Sequence, residues 1–246
     1  MLSKSQIKRI TSLGQKKYRN REGIFVAEGI KVIQELLDSS LILEGLWSVD
    51  DSAFSEQATK VAAVTLADLK KVSFLKTPQT AIAIFRIPEA KKTTESGLTL
   101  LLDDVRDPGN LGTIIRLCDW FGITDLVCSK ETVDCYNPKV VQATMGSLTR
   151  VNVVYADLID YVGKTKRPIY GTFMDGDNVY SAALPKDGIL VMGNEANGIS
   201  SEIESKISQR IGIPRFGPEQ ATESLNVATA AAIFLSEFRR SSSIGR

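Results

Sequence analysis

The sequence predicts an α/β protein built on a parallel sheet flanked by helices, and three observations carry that prediction. From residue 98 onward, short apolar runs of strand character alternate with stretches of helical periodicity. At 246 residues and 43% hydrophobic content, the chain holds enough apolar material for one large domain or two smaller ones. Turn-rich segments follow several of the apolar runs, where an open parallel sheet gathers ligands at the C-terminal ends of its strands.

The chain opens on a basic stretch. Residues 1 to 21 contain Lys4, Lys8, Arg9, Lys16, Lys17, Arg19 and Arg21 and no acid, which leaves 23 basic against 29 acidic side chains in the remainder. Two readings stand on the charges alone. One is an arm that binds a polyanion, gaining from counterion release; the other is a solvated amphipathic helix with Ile7, Ile10 and Leu13 on its apolar face. Helix-like "IKVIQELLDS" then alternates with "LEGLWSV", "KVAAVT" and "AIAIFRI", the pattern of a small α/β domain. The polar, aperiodic stretch "PEAKKTTESG", residues 88 to 97, reads as a linker, so domains are expected at 1–95 and 96–246. Beyond it come strand-like "LTLLLDDV", "DLVCS", "RVNVVYA", "RPIYGTFM", "GILVMG" and "RIGIP". Between and after them lie helix-like "GTIIRLCDWFG", "PKVVQATMGS", "DLIDYVGK", "SSEIESKIS" and "ESLNVATAAAIFLSEFRR".

Composition removes several chemistries. The sequence has no histidine, which excludes imidazole catalysis and the usual zinc sites, and Cys118, Cys128 and Cys135 form no CxxC pair, so no metal is expected. No apolar run approaches the length of a membrane span and no apolar signal core opens the chain; a cytoplasmic protein is expected.

Three segments at strand ends carry the candidate chemistry. In "DPGNLGTIIR", residues 107 to 116, Pro108 and Gly109 make a turn, Asn110 reads as the N-cap, and Gly112 leaves room beside Arg116 four positions on. A phosphate or substrate fits there, although an ordinary capped helix with an exposed arginine gives the same pattern. In "GNEANGIS", residues 193 to 200, the spacing Gly193-x-x-x-x-Gly198-x-Ser200 approaches a phosphate loop but has Ile199 in place of lysine and a carboxylate, Glu195, within it. A loop of that kind suits a cationic ligand, or one whose hydroxyls and amines need an acceptor; Ser201 and Glu204 read as a capping box for the next helix. In "GIPRFGPEQATESLNVATAAAIF", Glu223, Ser224 and Asn226 crowd a helix start, as caps or as groups presented to a ligand.

In this order the segments resemble the SpoU (TrmH) family of the SPOUT superfamily, whose members methylate the ribose 2′-hydroxyl of tRNA or rRNA from S-adenosylmethionine. "NLGTIIRLCDWFG" is similar to its first motif, "GNEANG" to its second, and "IP" at 213 to 214 with "ESLNV" at 223 to 227 to its third; "ATMGSLTR" at 143 to 150 is similar to a weaker element. "REGIFVAEGIKVIQELL" resembles the opening of the family's appended RNA-binding domain. In the second motif Ala196 stands where the family has glycine, so a positive φ there would be strained.

The resemblance implies a sheet whose C-terminal segment is threaded as a deep trefoil knot, preceded by a small α/β substrate-binding domain, and a homodimer with its active site near the subunit interface. It places the cofactor against Thr172, Met192, Gly193, Asn194, Gly198, Ile213, Ser224 and Leu225. Catalysis falls to Arg116, Asn110, Glu195, Ser224 and Asn226, with Glu195 organising the loop or the arginine and not acting as a base. Because a guanidinium holds its proton in proteins, Arg116 is read as steadying the developing alkoxide and the adjacent phosphate, not as the base. RNA contacts are assigned to Lys8, Arg9, Lys16, Lys17, Arg19, Arg21 and Arg116. The two-domain layout resembles rRNA-directed members more than the compact tRNA enzymes. A tRNA methyltransferase and a non-catalytic RNA-binding protein that keeps the fold are the alternatives.

Overall fold

The computed structural model describes residues 1–54, 60–217 and 224–243. The chain divides into two compact units: Met1–Glu89 with Asp134–Thr149, and Ala90–Val133 with Arg150–Arg246. The division near residue 90 lies in the polar stretch 88–97. Asp134–Thr149 sits between strands of the second unit in sequence but groups with the first, and the contacts that hold it there are specific. Tyr136 packs on Phe25 with ring centroids 4.9 Å apart, and Asp134 receives the Arg19 guanidinium.

In the first unit, helices α1 (Lys4–Ser12) and α2 (Lys16–Glu22) precede β1 (Ile24–Glu28), α3 (Ile30–Leu37), β2 (Leu43–Ser48), β3 (Val61–Ala63), α4 (Leu66–Lys70) and β4 (Ala81–Arg86). Ser3 caps α1 in a capping box with Gln6, and α2 ends at Gly23 with φ of 65°, a left-handed turn that glycine adopts without strain. The sheet order is β1-β4-β2-β3; β4 runs antiparallel to both β1 and β2, while β3 is parallel to β2. Ile10 and Leu13 of the N-terminal helical stretch join Ile24, Val26, Leu69, Val72, Ile82 and Ile84 in one core. All five residues of β1 are buried, four of them apolar and the last the carboxylate Glu28.

That core decides what the basic stretch can do. Arg19 is 1% exposed; its Nε donates to Asp134 Oδ2 at 2.9 Å and its Nη1 to the Leu13 carbonyl at 2.7 Å. Its assignment to RNA is therefore corrected, because a guanidinium buried and already bound to a carboxylate and a carbonyl is out of reach of a phosphate. Arg9 and Arg21 both pair with Glu22, the first acid after the stretch, at 3.3 and 2.9 Å. Lys8, Lys16, Lys17 and Arg21 lie at the surface.

The second unit holds β5 (Leu98–Leu102), α5 (Pro108–Trp120), β6 (Asp125–Cys128), β7 (Asn152–Tyr155), α7 (Leu158–Gly163), β8 (Ile169–Asn178), β9 (Gly188–Met192), α8 (Ser201–Glu204), β10 (Gln209–Gly212) and α9 (Val227–Ser243), while α6 (Pro138–Thr144) belongs to the first. The six strands are all parallel in the order β10-β8-β9-β5-β6-β7, the doubly wound sheet that the alternation predicts. β5, β6 and β9 are buried throughout, which is why they read as predominantly apolar runs, broken only by the buried Thr99 in β5 and Asp125 at the start of β6. Successive strands move outward from β5 through β6 to β7, then return to build β8, β9 and β10 on its other side. The order reverses between β5 and β9, and loops leaving neighbouring strands in opposite directions open a crevice at such a point. No helix among the described residues is long and apolar enough to cross a membrane.

Candidate active site

Loops from both sides of the switch point meet at the C-terminal ends of β5 and β9. After β5, Asp104 takes a φ of +59°, a left-handed conformation that costs a non-glycine residue about 1 kcal/mol. Asp104 is held there by Ser129, whose hydroxyl accepts from the Asp104 N–H at 3.0 Å. Its carbonyl accepts from Asn194 Nδ2 at 2.7 Å, while Asp103 Oδ2 accepts from the Ser200 N–H at 2.8 Å. The two loops are thus tied together by backbone and side chain.

The segment 193–200 is a tight hairpin. Asn194 and Gly198 exchange two backbone hydrogen bonds of 2.9 Å, and Asn194 Oδ1 accepts from the N–H groups of Ala196 and Asn197 at 2.8 and 3.2 Å. A Cβ on Gly193 would collide with the backbone of Gly198 and Ile199, so that glycine is required by close approach. The positive φ of the hairpin falls on Gly198 at +70°, not on Ala196, so the alanine is accommodated without backbone strain. The expected capping box does not form: Ser200 is the N-cap of α8, Ser201 Oγ donates to Glu202 at 3.2 Å, and Glu204 pairs with Arg210.

The N-cap of α5 also differs from expectation. Asp107 holds that position, its carboxylate accepting from the Asn110 N–H at 2.8 Å, with Pro108 in the first turn. The side chain of Asn110 is left to face the hairpin, where its Nδ2 donates to Glu195 Oε1 at 2.6 Å. Its Oδ1 accepts from Asn226 Nδ2 at 2.9 Å. Asn226 in turn accepts from the N–H groups of Ala228 and Thr229 at 3.0 and 3.2 Å, capping α9. One chain of amides thus links a helix start, a second helix start and the carboxylate of the hairpin.

Beside this network lies a cavity of about 980 Å³. Thr172, Met192, Gly193, Asn194, Gly198, Ile213, Ser224 and Leu225, the eight residues assigned to the cofactor from the sequence, all line it, as does Glu195. The β8 wall has a cause in register. Consecutive residues Arg210 and Ile211 of β10 pair with Gly171 and Asp177, so residues 172–176 leave the ladder and bring Thr172, Phe173 and Met174 to the cavity. Arg210 stacks over Phe173, 3.5 Å from the ring centroid, and pairs with Asp175 at 2.6 Å; the Asp175 contact outweighs desolvation and raises the guanidinium above its ordinary pKa.

The side chain of Asn110 stands one hydrogen bond back from the lining and that of Asn226 two. Arg116 is elsewhere: it is exposed on α5, does not line the cavity of its own chain, and enters no hydrogen bond or ion pair among the described residues. Glu223 lies outside the described residues. Sequence reasoning missed Val227, Ala230 and Phe234, which line the cavity from one face of α9; their helical spacing was the available signal. It also missed Asp107, although Asp before Pro at a helix start is a recognisable cap. Among the described residues, no group of three or more Asp, Glu or Cys side chains is placed to hold a metal ion.

Fold and site define an α/β domain with an apolar, acceptor-bearing cavity at the topological switch point, preceded by a smaller mixed-sheet domain. The chain belongs to the SpoU rRNA methylase family, whose model matches residues 97–236. A second model, the MRM3-like substrate binding domain, matches residues 4–83. The chain is similar to the 23S rRNA (guanosine(2553)-2'-O)-methyltransferase RlmP of Bacillus subtilis, 32% identical over 95% of this chain and 96% of that one. Among solved structures it is similar to a protein of the TrmH family of RNA methyltransferases from Porphyromonas gingivalis, 40% identical with a TM-score of 0.87 over 98% of this chain and 99% of that one. It is also similar to an AdoMet-bound rRNA methyltransferase from Sinorhizobium meliloti, 29% identical with a TM-score of 0.85 over 98% and 97% of the two chains.

Proposed function

We propose that this chain transfers a methyl group from S-adenosylmethionine to a ribose 2′-hydroxyl of ribosomal RNA. The observation that carries the reading is the cavity at the switch point, with Glu195 fixed at its edge by Asn110. The residues present fit the cofactor. About 980 Å³ lies within the range of small-molecule sites, Met192, Val227 and Phe234 give apolar walls, and among the described residues no lysine lines the cavity to grip a phosphate. Of its two arginines, Arg210 is already paired with Asp175 and Glu204. A carboxylate that bonds only a neutral amide keeps its negative field for a cationic ligand.

When bound, S-adenosylmethionine supplies a methyl group on a sulfonium, ready for transfer to an oxygen nucleophile. Gly193, Asn194, Ile213 and Leu225 would hold it, with Thr172, Met192, Gly198 and Ser224 completing the enclosure. Asn110 and Asn226 orient Glu195, and the rate follows from the alignment this rigid set imposes on the ribose oxygen. Arg116 steadies that oxygen as its proton leaves through the neighbouring phosphate or a water. Because Arg116 stands away from the cavity of its own chain, the reading includes a homodimer in which a second copy completes the site. It also includes the deep trefoil knot in the C-terminal segment, RNA contacts by Lys8, Arg9, Lys16, Lys17 and Arg21, and work in the cytoplasm, where the thiols of Cys118, Cys128 and Cys135, which form no disulfide, stay reduced.

The experiment is tritium transfer from labelled S-adenosylmethionine to unmodified ribosomal RNA, followed by mapping of 2′-O-methyl positions. Incorporation at one ribose is the expected result. Binding of the cofactor without incorporation into any ribosomal or transfer RNA would leave a non-catalytic RNA binder.

A further inference from the structure

We propose that Phe216 is the platform on which an unpaired base of the substrate RNA stacks as its ribose enters the cavity. The inference rests on the methyltransferase reading above. Three of the large apolar side chains exposed among the described residues also line the cavity: Met174, Phe216 and Leu225, at 57%, 84% and 47% exposure. They come from three separate segments, the β8 excursion, the loop after β10 and the turn before α9. The apolar lip therefore belongs to the mouth of the cavity and not to one errant loop.

Of this lip only Leu225 is assigned to the cofactor, which does not need Met174 or Phe216. Met192, Val227 and Phe234 are buried at the cavity wall and supply apolar contact on their own. Phe216 is the most exposed of the lip residues, and its neighbour in sequence, Arg215, donates from Nη2 to Met174 Sδ at 3.5 Å. An open aromatic face at the mouth of the cavity matches an unstacked base. Bases released from a helix are held in this way, by stacking on aromatic rings and arginine planes. The lip thus selects RNA in which the methylated ribose lies in a loop or bulge, where a base can swing free of its neighbours.

The test uses the full-length chain, in vitro transcribed large-subunit ribosomal RNA and tritiated S-adenosylmethionine. Phe216→Ala is expected to lower kcat/KM for the RNA by about 5- to 100-fold, the loss of one base stack. Its affinity for S-adenosylmethionine, measured by titration calorimetry, should stay within about twofold of wild type, and Phe216→Trp should recover most of the activity. Because the side chain is exposed, the thermal midpoints of all three proteins should coincide. An alanine variant with wild-type kcat/KM overturns the inference, as does a loss of cofactor affinity equal to the loss of rate, which would make Phe216 a wall of the cofactor site. A wild-type chain that transfers no methyl group to ribosomal RNA overturns the underlying reading as well, and is told apart because it fails before any variant is compared.

Discussion

Charge is handled in opposite ways in the two units. In the first, Arg19 is buried and bonded to Asp134 and to a carbonyl, so its positive charge is closed to any ligand. In the second, Glu195 lies at the surface of a cavity, oriented by the neutral amide of Asn110, with no ion pair among the described residues. An ion pair cancels a field, whereas an amide aims it. Density of charge thus marks an interior joint at Arg19, and orientation without neutralisation marks a binding site at Glu195.

The comparison can be broken at either end. Arg19→Ala strands the Asp134 carboxylate and should cost about 3–5 kcal/mol in unfolding free energy, read from urea denaturation, with cofactor affinity of the folded protein unchanged. A loss under 1 kcal/mol would mean the pair is not a closed joint. Asn110→Ala removes the donor that holds the Glu195 carboxylate, a contact that solvent exposure makes worth little to overall stability. Single-turnover methyl transfer should fall about 10- to 100-fold while the thermal midpoint hardly moves, because Glu195 is exposed and Asn110 only half-buried. Equal losses in stability and turnover would reduce this network to scaffolding. Arg116→Lys keeps the charge but not the planar fork, and the exposed position predicts unchanged stability with a clear loss of turnover. Asn226→Ala sharpens the contrast, since its side chain serves two purposes: loss of the α9 cap should cost about 1 kcal/mol of stability in addition to a fall in turnover.

The same contrast explains what could be read in the sequence. The parallel sheet was legible because strands buried on both faces are written as predominantly apolar runs, as in "GILVM" and "LTLLL", with helices between them. The loop at 193–200 was legible because its glycines answer to local geometry, a left-handed turn at Gly198 and close backbone approach at Gly193. The burial of Arg19 was not legible: its partner Asp134 is 115 residues away, and nothing local separates a buried arginine from its exposed neighbours. The grouping of Asp134–Thr149 with the first unit was hidden for the same reason. Asn110 was read as a cap because it is a good one; Asp107 took that position, and the displaced side chain became available to Glu195.

The smallest predicted effect tests whether the two units also differ in their response to acid. In the second unit, burial alone would raise the Asp125 carboxyl, but hydrogen bonds from the Thr94 hydroxyl and N–H at 2.6 and 3.0 Å and from Asn152 at 2.7 Å outweigh it and hold the group below the ordinary aspartate value. Its stabilisation is then present above the unfolded value, near pH 4, and is lost as pH falls through the lower folded one. In the first unit, burial pushes the Glu28 carboxyl up against the opposing hydrogen bonds of Ser73 and Phe74. That group has the reverse sign: its contribution is complete below the unfolded value and fades as pH rises through the raised folded one. Urea midpoints measured from pH 7 to pH 3 should therefore show Asp125→Asn costing about 1 kcal/mol at neutrality and progressively less below pH 4. Glu28→Gln should instead lose, relative to wild type, the stabilisation that the native carboxyl gains on acidification. Parallel pH profiles for the two variants would show that the units do not differ in this respect, and would confine the contrast between them to Arg19 and Glu195.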